Sequence, residues 1–441
     1  MLRSVRKCVL QRCYVGLFTP KQTFLTDEYK CNEAWKAHLY SPILTKVNLN
    51  DFYSILDQNF NSKGVISAID VDIFANALKD SNYLEELKDL LHKLRLSAET
   101  GNTLESTHHA TVRNFIEFGN VQDIVSILKE PLKFGIFLDF YTANILLDKL
   151  VTSKNYELAA NVASLVMLQE DFSNSITSSL CQYACYKYVS ECEETKPTSV
   201  EQEDDSKKKK EEIKIRIKFL RNPYFDDHFD LTNLHLLSGK TLAWISKVST
   251  DNLSNNLQVI GWLFYKKYNR LLELCKEIVK MESTKVYKDV IELLKKELEK
   301  AEEDNKVILQ NCVELLSNAP PSDVGLEDSM KIAIENCINK TQNKDVSAQK
   351  ELFKNWERMR EEKLEEQTKR LDRTRHIKMF EEKQKQLASE EQRLWFFDNE
   401  EQIDLQIEEK EKLQDPWSSK KGTKHKGDED YVPPEILPKR K

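Results

Sequence analysis

Glycine and proline are scarce, at 10 and 11 of 441 residues, about 5% together where an average globular chain has roughly 12%. Hairpins and phosphate-cradling loops need residues that tolerate positive φ. The shortage therefore excludes most all-β and glycine-looped nucleotide-binding architectures and leaves a chain that is mostly helix. No run of 18 apolar residues occurs, so no segment reads as a membrane span. The nine cysteines, at 8, 13, 31, 181, 185, 192, 275, 312 and 337, form no regular framework. Cys181 and Cys185 share a helix face, but neither a second pair nor a His-x-x-x-His partner completes a tetrahedral zinc site. The cysteines read as small buried side chains of a reducing compartment. His-Glu-x-x-His is absent as well. Asp226, Asp227, His228 and Asp230 cluster in sequence without distant ligands, and read as a turn with acids capping the next helix near Leu231 or Thr232. Gly239-Lys240-Thr241 ends like a phosphate loop, but Leu234 stands where the earlier glycine belongs, so it reads as a helical turn. No catalytic residue, metal or cofactor is assigned, and no small-molecule substrate is expected.

Charge is plentiful: 32% of residues are charged, with a net of −7. Positions 1–26 hold Arg3, Arg6, Lys7, Arg12 and Lys21 with no acid, and Leu2, Val5, Cys8 and Val9 fall on the opposite side of a helix. A basic, acid-free, amphipathic start reads as a mitochondrial presequence, with the matrix as destination. Its removal would take five positive charges and leave −12, so any contact with RNA is local and not a whole-surface field.

Apolar residues three and four apart predict helices over 43–60, 68–79, 82–96, 106–118, 121–133, 140–153, 156–169 and 176–191. Shifting 105–139 by 35 residues preserves the pattern: Thr107 falls on Thr142, Phe115 on Leu150, Asn120 on Asn155, Ile127 on Val162 and Phe137 on Phe172. A weaker copy of the turn and second helix begins at Asn82. One unit alone cannot bury its apolar faces, whereas stacked units share a core, so an α-solenoid is favoured over a closed bundle.

The stretch from Phe134 to Asp148, with Gly135-Ile136 and Asp139 before Thr142 and Asn144, resembles the junction between two repeats of the pentatricopeptide family. Lys154-Asn155-Tyr156-Glu157-Leu158-Ala159 is similar to that family's turn and second helix. The order of segments resembles pentatricopeptide proteins of the mitochondrial small ribosomal subunit. Leu138 stands where the family has proline, Ala143 where it has tyrosine, and Pro131 interrupts a second helix. The resemblance implies His109 with Asp139, and Asn144 with Asn174, at positions that read bases. Two clean repeats read too few bases to single out a site, so sequence-specific recognition is not expected.

Residues 193–212 swing from acidic to basic and read as a disordered linker. Beyond it, Ile213, Ile215, Ile217 and Phe219 alternate with Lys214, Arg216 and Lys218, and Arg221 follows. This is either an arm facing phosphate or a solvated lysine run beside a strand or helix start. Further helices are expected over 241–248, 252–266, 268–281, 286–301 and 303–317, with a short one over 327–340. From 345 to 414 there is no Gly or Pro, which predicts a long helix, either a lone solvated one or an imperfect coiled coil. The expected organisation is all-α: presequence 1–26, a solenoid of degenerate pentatricopeptide-like repeats over 27–192, linker 193–212, a second helical region 213–340, the long helix 345–414, and a disordered tail 415–441. The expected role is a non-catalytic component of the mitochondrial small ribosomal subunit. It would contact the small-subunit ribosomal RNA and neighbouring ribosomal proteins, with Lys154, Lys187, Lys214, Arg216, Lys218 and Arg221 on phosphate. A free mitochondrial RNA-processing or translation factor, and a coiled-coil scaffold without RNA contact, are the alternatives.

Overall fold

The computed structural model describes residues 23–192, 225–281 and 284–418. Among these there are seventeen α-helices and no strand, and the pairing of Val286 with Pro321 is an isolated bridge. The first ten are α1 Asn32–Leu39, α2 Leu49–Lys63, α3 Ala68–Ala77, α4 Leu84–Leu96, α5 Glu105–Glu117, α6 Val121–Lys129, α7 Pro131–Phe134, α8 Phe140–Thr152, α9 Tyr156–Leu168 and α10 Ser175–Glu191. The others are α11 Leu234–Lys247, α12 Asn252–Phe264, α13 Tyr268–Lys280, α14 Lys288–Lys300, α15 Glu303–Ser317, α16 Leu326–Asp398 and α17 Glu400–Ser418. The chain divides into two compact units, one ending at Glu362 and one beginning at Lys363.

The 35-residue period is visible in the backbone. First helices begin at 105, 140 and 175, and second helices at 121 and 156. Caps repeat with them: Asp139 accepts from the Thr142 N–H and hydroxyl, and Asn174 does the same for Thr177. Asn120 and Asn155 cap α6 and α9 through their side-chain oxygens. Each cap satisfies an amide that the first turn leaves without a partner. Left-handed residues recur as well, at Gly135 (φ 66°) and Glu170 (φ 57°). Glycine adopts that conformation without the strain a Cβ brings.

Three helices depart from the expected boundaries. Proline lacks the N–H that a helix interior uses, so Pro131 ends the helix expected over 121–133 and starts the short α7 at its own N1 position. The helix expected from 241 begins at Leu234, because Asn233 caps it by accepting from the His235 and Leu236 amides; Leu231 and Thr232 lie before it. The segment over 327–340 is the first part of α16, which runs unbroken from Leu326 to Asp398. Its buried Leu326, Met330, Ile334 and Ile338 recur every four residues and give it one apolar face.

In the first unit the buried apolar side chains form one continuous cluster from Leu25 to Trp356. Helices α11 and α12 meet in backbone contact: a Cβ at Gly261 would lie 2.4 Å from the Ala243 nitrogen, and one at Gly239 would lie 2.5 Å from the Tyr265 nitrogen. Residues 326–360 of α16 cross the first helices of the repeats in reverse chain order. Glu327 takes Tyr183 and Lys187 of α10, Cys337 takes Ser179, Asp345 takes Asn174, and Phe353 and Trp356 pack on His109 of α5. Arg360 then reaches Asp72 of α3.

Candidate nucleic-acid interface

His109 is carried by α5 and is fully buried. Its ring lies 5.1 Å from Trp356, 5.4 Å from Trp35 and 5.5 Å from Phe353, centroid to centroid. Its Nδ1 stands 2.7 Å from Asp139 Oδ2. Desolvation alone would raise the Asp139 carboxyl; the neighbouring His109 ring and hydrogen bonds from His109 and Thr142 outweigh it and hold the group below the ordinary aspartate value. Asn144 of α8 is also fully buried and donates to the Tyr29 hydroxyl at 2.7 Å. That hydroxyl donates to Asp345 Oδ2 at 3.3 Å, and the same oxygen accepts from Asn174 at 3.0 Å. Both pairs are therefore joined to the chain's own N-terminal segment and to α16. His109 and Asn144, the positions expected to face RNA, are both buried and already hold contacts within the chain.

Lys187 is engaged within the chain as well. Its ammonium lies 2.7 Å from Glu191 and 2.9 Å from Glu327, with the side chain 11% exposed. Burial alone would lower its pKa, but hydrogen bonds to the two glutamates reverse the sign and hold it above the ordinary lysine range. A cation matched by two carboxylates is no longer free to neutralise phosphate. Lys154 differs. It is exposed in the turn between α8 and α9, with φ of 58°. Lys214, Arg216, Lys218 and Arg221, like the linker 193–212, lie outside the described residues.

A basic cleft had no signature in the sequence. About 580 Å³ in volume, it is lined by Lys30, Lys36, Arg113 and Lys149 together with Glu117 and Asp148, and it extends to Ser153 beside Lys154. Arg113 donates to Glu117 at 3.1 Å and to Asn32 at 2.8 Å, with its guanidinium 4.8 Å from the Trp35 ring centre. Lys149 donates to the Ile116 carbonyl at 2.6 Å, near the end of α5. Lys36 projects into solvent from α1. The four cations come from three separate segments, and only folding brings them together.

Residues 1–391 match the family described as mitochondrial 28S ribosomal protein S27. The chain belongs to that family. As a member of the S27 family it is a component of the mitochondrial small ribosomal subunit, located in the mitochondrion with the ribosome. The family is one of ribosomal structural proteins. Among the described residues of this S27-family chain, no cluster of His, Cys, Asp and Glu has the makings of a metal site, and no helix is long and apolar enough to cross a membrane.

Proposed function

We propose that this chain is a non-catalytic architectural protein of the small subunit, built on degenerate pentatricopeptide-like repeats, that binds ribosomal RNA by phosphate neutralisation and neighbouring proteins by its helical faces. The carrying observation is that the inherited base-reading positions are consumed internally: His109 by three aromatic rings, and Asn144 with Asn174 by Tyr29 and Asp345. What remains for RNA is charge at the surface, which positions a protein on a backbone without reading sequence. Lys36 and Lys154, exposed at the basic cleft and beside it, are the described residues best placed for it.

Two measurements test this reading. In a sucrose gradient of mitochondrial lysate at high magnesium, the chain should travel with the small subunit; absence from that peak would sink the proposal. Purified chain should bind a small-subunit RNA fragment with affinity that falls steeply as salt rises. Reversing charge at Lys36 and Lys154 together should lower the slope by about 1–2 phosphate equivalents. A salt-independent affinity would remove the phosphate model. A second reading, a scaffold that meets only proteins, draws support from the exposed apolar side chains of α16 beyond residue 370.

A further inference from the structure

The second unit concentrates eleven exposed large apolar side chains between Leu371 and Ile407. Phe380, Leu387 and Leu394 are 71%, 57% and 65% exposed. Spaced by seven residues, they drift only about 20° per step around a helix and form one line along it. Immediately after come Trp395, Phe396 and Phe397, all exposed, which at about 100° per residue wrap more than half the helix circumference. Four aromatic rings of this kind represent several hundred Å² of apolar surface, the scale that marks an interaction site.

The charge around this stripe selects the partner. The stripe itself, over 379–397, carries four carboxylates against three cations; residues 398–412 directly after it carry seven carboxylates against two cations, a net of −5, and 363–378 before it carry six cations against three carboxylates. RNA phosphate is repelled by the acidic stretch at the C-terminal end of the stripe. A parallel second copy is disfavoured for the same reason. The positions that would supply the second seam of a coiled coil, three residues before Leu387 and Leu394, are Gln384 and Glu391, so a self-pairing coil lacks half its knobs.

We propose that the end of α16 from Ile377 to Asp398, together with the acidic start of α17 up to Lys412, forms a docking segment for a basic protein surface carrying an apolar groove that ends in a pocket for Trp395 and its neighbours. This rests on the small-subunit role above and names the class of partner for one helix face. Phe380, Leu387 and Leu394 enter the groove at helical spacing, the aromatic triplet fills the pocket, and the flanking carboxylates meet cations at the rim, where charge sets orientation and on-rate.

The test places a photo-crosslinking phenylalanine analogue at Leu387, and separately at Trp395, in the full chain expressed in cells, followed by isolation of small subunits on a gradient. The expected result is that both positions crosslink to one and the same other small-subunit protein, on a peptide rich in Lys and Arg, and that the adduct resists ribonuclease. Adducts cut by ribonuclease, adducts to a second copy of this chain, or no adduct in assembled subunits would each overturn the proposal. Chain missing from the small-subunit peak before irradiation would instead overturn the functional reading beneath it. As a second arm, Phe380→Glu combined with Leu387→Glu should cut incorporation into small subunits at least fivefold while the circular-dichroism melt of the first unit is unchanged; normal incorporation of this variant would also overturn the proposal.

Discussion

Arg360 donates from Nε to Asp72 Oδ2 across 2.8 Å, although the two lie 288 positions apart along the chain. Both side chains are buried, at 1% and 0% exposure. Asp72 also accepts from Asn76, Ser106 and Thr107, so one carboxylate gathers α3, α5 and α16. Removing one member of such a pair strands the other charge away from water, which is far more damaging than replacing both by apolar groups.

Arg360→Ala is accordingly expected to destabilise the first unit by about 3–5 kcal/mol, read as a lower urea midpoint. Replacing Asp72 and Arg360 together by Leu and Met should recover a substantial part of that loss. A double-variant loss equal to the sum of the two single-variant losses would mean that the pair has no coupling.

His38 gives the fold a pH dependence. Burial, and then the Arg360 charge, push its pKa from 6.5 down to about 4; it faces Asn76, Asp72, His109 and Arg360. Between those two values the unfolded chain binds a proton that the native chain refuses. Stability is therefore complete above about 6.5 and falls, by roughly 1.4 kcal/mol per pH unit, as pH drops toward about 4. Burial lowers His108 in the same direction. Denaturant melts from pH 7.5 to 4.5 should show this loss, and His38→Gln should flatten it.

For Gly261→Ala the expectation is a loss of about 1–3 kcal/mol or more, because the added Cβ meets the Ala243 backbone and not a side chain that can turn aside. Thermal melts give the measure. Gly64→Ala tests the opposite mechanism: a Cβ there meets nothing within 4 Å, so any loss comes from its φ of 68° alone.

His109→Ala separates packing from recognition. Loss of a ring held by Trp35, Phe353 and Trp356 should lower stability by about 2–4 kcal/mol, while affinity for RNA under native conditions stays unchanged. Fluorescence anisotropy and urea melts on the same preparation decide the matter, since stability kept with affinity lost would return His109 to base reading.

The repeat helices were legible because their apolar spacing and the recurrence at 35 residues are local properties; the first helices expected at 106, 140 and 176 begin at 105, 140 and 175. The destination of α16 was not. Across 345–414 nearly half the residues are charged, and that average hides the line Val346, Gln349, Phe353, Trp356 and Arg360, whose spacing alternates three and four. Two of the five are polar, so a search for leucines seven apart settles on Leu364, Leu371 and the exposed half of the helix instead. Asp72 carried a signal of its own, an acid flanked directly by Val71 and by Ile73-Phe74-Ala75, where an unpaired buried charge would be untenable. Burial of His109 and Asn144 was unreadable, because the residues that cover them lie far along the chain: Trp35 is 74 positions from His109, Tyr29 is 115 from Asn144, and Phe353 is farther still from His109.

The reverse crossing of α16 also governs when the first unit can mature. Helices α3 to α10 are made and delivered early, yet Asp72, His109 and Asn174 receive their final partners only from residues 345–360. Contacts separated by hundreds of residues form slowly, since a large loop must close before they return any energy. Until Arg360 arrives, a nascent or partly imported chain holds its repeat helices with an uncovered apolar face, a species that aggregates unless a chaperone shields it. Completion of the last third of the chain is thus the step that licenses the first third to fold, and a truncation before residue 360 should be cleared by proteolysis before it ever meets a ribosome.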